Sequence, residues 1–278
     1  MNGIIDVGGG MRGAYTAGIY DYLTEKGIYA DYCLGISAGS ANMSNYISGQ
    51  RGRNMLSYTK YSLRKEYMSL RNFIHSGSYI NMDYIYSQLS NSGAENPFDY
   101  AAFRSRHTDF IVGATDAETG QAYYFPKSSM QQDNYDVLKA SCSLPGICKP
   151  YYIDGKAYYD GGISEPIPYR KAFEDGCDRL LILLTRPSAY RRPPLKHAGV
   201  MKRALRSFPQ TYKALCKRAE KYNKALDELE RMPESVLICA PKDIEGMSTL
   251  RNNVPAMERL YRMGYADAPK AAEFLIKD

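Results

Sequence analysis

Short apolar runs punctuated by glycine set the rhythm of the first half of the chain. GIIDV (3–7) is β-branched at its centre and ends in three glycines. From Arg12 to Lys26, Ala14, Ala17, Ile19, Tyr20 and Leu23 recur at helical spacing, with Gly27 as the stop. YCLGI (32–36) predicts a second strand, and the small residues AGSANMSNYI (38–47) a second helix. Strand, glycine turn and helix, repeated, predict a parallel α/β sheet with its functional loops at the strand C-termini.

Residues 50–108 are polar and rich in tyrosine, as expected of helices and loops lying over the sheet. DFIVGATD (109–116) and QAYYF (121–125) predict paired strands around a turn. A short helix is expected over 136–141, a strand–turn–strand over 151–160, a helix over 166–175 and a central strand over RLLILLT (179–185). RPSAYRRPPLKH (186–197) carries three prolines and no periodicity, so it reads as an exposed connector. Beyond it the pattern is helical and basic to Arg231, interrupted near Pro209. SVLICA (235–240) predicts a last strand, and 255–278 a last helix or pair. Two parts are expected: residues 1–185 as a catalytic domain, and 186–278 as a basic helical extension with one strand, packed on it.

Composition adds three constraints. With 278 residues, 44% hydrophobic and 24% charged, the chain has the balance of a globular protein. No apolar run approaches the roughly 18–20 residues a membrane span needs. MNGIIDV lacks the basic and apolar segments of a signal peptide, and the six cysteines are scattered. Reduced core thiols and a cytoplasmic location are therefore expected, and no metal site, since no Cys/His cluster exists. The net charge of +6 is uneven. Residues 186–231 hold thirteen basic and four acidic residues, a balance of +9, leaving −3 on the rest (23 basic, 26 acidic). Such a stretch is either a solvated helix surface or a contact for phosphates. Interleaved with Tyr190, Leu205, Phe208, Tyr212 and Leu215, it is a candidate for peripheral contact with an anionic membrane. No nucleic-acid partner is expected.

The candidate chemistry lies in three turns. Gly35-Ile36-Ser37-Ala38-Gly39 is a G-x-S-x-G pentapeptide between a strand and a helix, the context in which such a serine is a nucleophile. The helix N-terminus beyond it favours an anion. Of the three histidines, His75, His107 and His197, none lies in a glycine-rich turn. Asp160, followed by Gly161 and Gly162, can take the serine proton if the oxyanion is stabilised at the same moment. Alternatively, Asp160 is a simple turn acid. DVGGGMRG (6–13) admits two readings. Gly8-x-Gly10-x-x-Gly13 fits a dinucleotide loop, or the N–H groups of Gly9, Gly10 and Met11 serve as oxyanion donors together with that of Ala38. The dinucleotide reading also wants an acid at the end of the second strand, where Gly35–Gly39 stands instead.

Taken together and in order, GGGMRG, GISAG and DGG resemble the patatin-like phospholipase family, as does ASCSLPGICKP (140–150) between them. The resemblance covers most of residues 3–185. It implies a three-layer α/β/α sandwich with a mainly parallel central sheet and hydrolysis of lipid acyl esters without a cofactor. It also implies a Ser–Asp dyad, with Ser37 as nucleophile and Asp160 as base, and an oxyanion loop of Gly8, Gly9, Gly10, Arg12 and Gly13. Three rivals stay open: a catalytically silent lipid- or membrane-binding protein of the same fold, an oxidoreductase using the glycine loop, and an α/β-hydrolase with a Ser–Asp–His triad.

Overall fold

In the computed structural model, which describes residues 1–277, one mixed sheet runs through the molecule with helices against both faces. Its strands are β1 (Asn2–Asp6), β2 (Tyr32–Ile36), β3 (Asp109–Asp116), β4 (Ala122–Pro126), β5 (Tyr151–Ile153), β6 (Lys156–Asp160), β7 (Arg179–Leu183) and β8 (Val236–Cys239). The helices are α1 (Ala14–Glu25), α2 (Ala38–Ile47), α3 (Arg53–Thr59), α4 (Leu70–Ser76) and α5 (Tyr100–Ser105). They continue as α6 (Asp136–Ser141), α7 (Tyr169–Glu174), α8 (Ala198–Ala204), α9 (Pro209–Leu229) and α10 (Val254–Ile276).

Strand order is β5-β6-β3-β2-β1-β7-β8, with β4 also paired to β3. The five strands β3, β2, β1, β7 and β8 are parallel, and β4, β5 and β6 form the antiparallel edge. The apolar runs reflect burial on both faces. Ile4, Cys33, Leu181 and Leu183 face the core under α1, α2 and α10, while Ile5, Leu34, Leu180 and Ile182 face the one under α7 and α9.

The expected elements form within a few residues of their predicted bounds. The last stretch is one continuous helix, α10, even with Pro269 inside it; Asp278 lies outside the described residues. Asn253 caps α10 by accepting from the Ala256 N–H at 3.2 Å. Tyr15–Asp267 and Asp21–Tyr261 hydrogen bonds tie α10 to α1. β8 extends the main sheet beside β7, so the C-terminal third contributes to the same sheet as the first.

The chain progresses from β1 through β2 to β3 on one side, then continues at β7 and β8 on the other side of β1. The reversal between β1 and β7 is the place where open α/β sheets leave a crevice at the strand C-termini. Gly8–Gly10 follow β1 there, Ser37 follows β2, and Thr185 and Arg186 lie just past β7.

Candidate active site

Ser37 occupies a sharp turn between β2 and α2, with φ 56° and ψ −135°, a conformation costly for a residue with a Cβ. The surroundings hold it there. Its N–H donates to Ser141 Oγ at 2.8 Å, and Ser141 donates in turn to the Gly113 carbonyl at 2.6 Å. Its carbonyl accepts from Ser40 Oγ at 2.7 Å. Gly39 is needed for close approach: a Cβ there would lie 2.5 Å from the Asp6 carbonyl oxygen. Gly35 ends the pentapeptide on the other side, inside β2.

Asp160 is the last residue of β6 and is only 2% exposed. One carboxylate oxygen accepts from the Gly162 N–H at 2.8 Å, and its backbone carbonyl accepts from Thr115 Oγ1 at 2.8 Å. Its own N–H donates to the Ser143 carbonyl at 2.8 Å. Ser141 and Ser143 therefore tie the Ser37 turn and the Asp160 turn through one short segment, at the end of α6. Burial pushes the Asp160 carboxyl above the ordinary carboxylate range. The Arg218 guanidinium, the Ser37 hydroxyl, the Gly162 N–H and Arg192 pull the other way. Ser37 and Asp160 line the same cleft.

The glycine loop roofs that cleft. Gly8, Gly9 and Gly10 all have positive φ, and Gly9, at 142°, has no room for a Cβ beside the Thr185 hydroxyl. Its amides are not equivalent. Gly8 N–H donates to Asp6 Oδ1 at 2.9 Å, and Met11 N–H donates to the Thr249 carbonyl at 3.0 Å. Those of Gly9, Gly10 and Ala38 find no acceptor among the described residues, Gly10 and Ala38 being first residues of helical turns. The free donors are thus a subset of the residues expected from sequence. Gly13 packs against Tyr58 and Asn42 below the loop, and the Arg12 side chain points into the cleft.

Asp6, at the end of β1, is fully buried. Its Oδ1 holds the loop through Gly8 while Oδ2 has no hydrogen-bond partner among the described residues, and burial raises its pKa to about 6.

Two cavities meet at Ser37. One is apolar, with Met11, Tyr58, Met82, Ile85, Phe98 and Leu138 in its wall. The other is polar and holds Asp160, the glycine loop and the guanidiniums of Arg12, Arg186, Arg192 and Arg218. Gly10, Leu144, Thr249 and Leu250 border both. His75, His107 and His197 are exposed and border neither. Among the described residues no group of three or more His, Cys, Asp or Glu gathers as a metal site.

Asp6, Ser141 and Thr249 carry no signal in the sequence pattern, and Arg186, Arg192 and Arg218 stand out there as part of the basic stretch 186–231. Arg218 carries a second signal. It lies three residues after Leu215 and four before Tyr222, on the buried stripe of α9. Leu205 and Leu215, expected on a membrane-facing surface, are buried in a cluster with Phe208 and Tyr212 packed against it.

A serine in a strained strand-to-helix turn, a buried carboxylate and a glycine loop thus lie together at the C-terminal edge of a parallel sheet. The family model for patatin-like phospholipase matches residues 7–173, and the chain belongs to that family, whose members hydrolyse lipid acyl esters. A second model, a domain of unknown function (DUF6363), matches residues 208–275. The chain is 27% identical over 265 residues to the uncharacterized protein YjjU of Escherichia coli, covering 92% of this chain and 73% of that protein. Among solved structures, VipD from Legionella pneumophila aligns with a TM-score of 0.49 and 14% identity, over 99% of this chain and 67% of that one.

Proposed function

We propose that the chain is a serine-type lipid acyl hydrolase, of phospholipase A or lysophospholipase type, working through Ser37 and Asp160. The observation that carries this reading is the shared cleft. A hydroxyl at a positive-φ turn, a buried carboxylate and the Gly9 and Gly10 residues, whose N–H groups have no acceptor among the described residues, border one cleft, and Ala38 borders the adjoining apolar cavity beside Ser37.

In the first half-reaction Ser37 Oγ attacks the acyl carbonyl carbon and its proton passes to the Asp160 carboxylate. The carbonyl oxygen becomes an oxyanion, held by the N–H groups of Gly9, Gly10 and Ala38 and by the positive end of α2. The intermediate collapses, the C–O bond to the alcohol breaks, and Asp160 returns the proton to the leaving oxygen. In the second half a water gives its proton to Asp160 and attacks the acyl-enzyme carbonyl. Collapse frees the fatty acid and restores the serine with that proton. A carboxylate with its pKa raised by burial is a stronger base than a solvated aspartate, which suits it to this task. Acyl chains fit the apolar cavity.

No described helix is long and apolar enough to cross a membrane. Peripheral contact is part of this reading. Leu70, Phe73 and Ile74 on α4 and Val200 on α8 are exposed. The 144–149 loop, which borders the cleft, is tied to the residues after α4 by Tyr79 N–H to the Ile147 carbonyl and by Lys149 N–H to Ser78 Oγ, and Met201 of α8 lies near Gly146. An apolar rim beside a basic connector suits an anionic lipid surface.

The test is turnover of acyl esters differing in head group and chain length, with Ser37→Ala as the blank. Hydrolysis of long-chain esters by the native chain and none by the variant is expected. Equal rates in both would end this account, and a folded native chain inert on every ester would favour the silent form of the fold.

A further inference from the structure

The polar half of the cleft contains more positive charge than acyl transfer uses. Arg186 follows β7 at the reversal of strand order, Arg192 comes from the connector, and Arg218 comes from the buried stripe of α9. Arg12 reaches them from the glycine loop and is 5% exposed. The Nε of each is shielded from solvent without a hydrogen-bond partner among the described residues. Arg12 retains a bond to Thr249 Oγ1 at 3.2 Å. Arg191, next in the chain to Arg192, shows the alternative: it turns outward and pairs with Asp227 and Glu230.

The cluster is also held in place. Arg186 stacks over Tyr190 with 4.4 Å to the ring centroid, and Arg192 over Tyr222 at 5.0 Å. Burial, then the neighbouring arginines, lowers Arg12 to about 9. Arg192 falls to about 10, by burial and then the charge of Arg218. Four converging cations face one carboxylate, Asp160. Unpaired buried charges are costly, and a bound anion removes that cost.

We propose, resting on the reading of Ser37 as the acylated nucleophile, that this half of the cleft is a phosphomonoester subsite. Arg186, Arg192 and Arg218, with Arg12, hold the terminal phosphate of the substrate, and acyl esters of a phosphorylated alcohol are favoured over zwitterionic diesters and neutral glycerides. A phosphomonoester carries about −1.5 to −2 charge at pH 7 and offers three acceptor oxygens. Planar guanidiniums match that geometry. A choline diester brings one negative charge and a cation into the same arginines. A neutral glyceride leaves them unpaired.

The experiment compares an acylglycerol phosphate, its choline diester and the monoacylglycerol, all with one acyl chain, on the full chain. The phosphomonoester is expected to lead in kcat/KM by roughly tenfold or more, the worth of one charge-assisted hydrogen bond. Arg186→Gln and Arg192→Gln are each expected to reduce that lead by roughly tenfold, and Arg192→Lys to retain part of it. Near-ultraviolet circular dichroism checks that the variants fold. Equal turnover of the three esters, or a lead untouched in both Gln variants, overturns the proposal. Calorimetry with Ser37→Ala separates this failure from failure of the parent reading. If the native chain hydrolyses no ester, arginine-dependent binding of the phosphomonoester to Ser37→Ala in preference to its choline diester still supports the subsite, and its absence overturns it. Inorganic phosphate that binds through the arginines, with no preference among the esters, identifies a free-phosphate site and overturns the headgroup assignment.

Discussion

The two halves of the cleft that meet at Ser37 rest on different physics. The apolar half is closed by side chains such as Met82, Ile85 and Phe98, whose contribution is non-directional burial. The polar half is a fixed array of charges and N–H groups held by named bonds: Asp6 to Gly8, Thr249 to Met11, Thr115 to Asp160. The first half discriminates by volume and the second by charge and proton affinity, so substitutions in each should fail in different ways.

The largest effect is expected at Asp160. Asp160→Asn keeps the shape and the acceptor for Gly162 N–H but removes the base, so turnover should fall roughly 10³-fold with the fold intact. Steady-state rates alongside thermal melting check this, and a variant with near-native kcat would remove Asp160 from the chemistry.

In the apolar half, Ala41→Trp fills the cavity wall. A buried methylene is worth about 0.8 kcal/mol, so excluding two of them should lower the ratio of long-chain to short-chain kcat/KM by roughly tenfold. If the ratio holds, the chain lies elsewhere.

A smaller effect is expected in the pH profile. Asp160 must be ionised to accept the serine proton, so activity rises with pH through its raised pKa, above the ordinary value of about 3.9. Arg218 pulls that pKa down. Arg218→Gln should move the acid limb for a neutral ester upward, and an unmoved or lowered limb would place Arg218 out of electrical contact with the base.

The least effect on turnover is expected at Asp6, where the readout is stability. Its carboxyl titrates near pH 6 in the folded chain and near 4 unfolded, so the native state binds the extra proton between those values. Its contribution to stability is therefore lost as pH rises through that window. Asp6→Asn should gain on the native chain between pH 4 and 7, by up to about 3 kcal/mol. Denaturant melts across this range measure it, and a pH-independent difference contradicts it.

The same contrast explains what the sequence reveals. The Ser37 turn and the glycine loop are local: strand, tight turn and helix lie within about ten residues, and each glycine marks a place where backbone approaches backbone. These features, and the two-faced apolar strands of the sheet, are legible as spacing. The arginine cradle is assembled from positions 12, 186, 192 and 218, and only the strand order brings them to one crevice. No local spacing encodes that. The basic stretch shows the consequence: its charge suggests an outward surface, yet α9 turns Arg218 inward with Leu215 and Tyr222. Ser141 and Ser143 lie within the ASCSLPGICKP segment, but their part in joining the two turns needs the packing of α6 beside β3 and β6.

The central claim is that the Ser37 hydroxyl is an activated nucleophile. Incubation with a fluorophosphonate, followed by peptide mass spectrometry, addresses it most directly. The account predicts a single covalent adduct on Ser37, formed much more slowly in Asp160→Asn. An unlabelled Ser37 in a folded protein that hydrolyses acyl esters would contradict it.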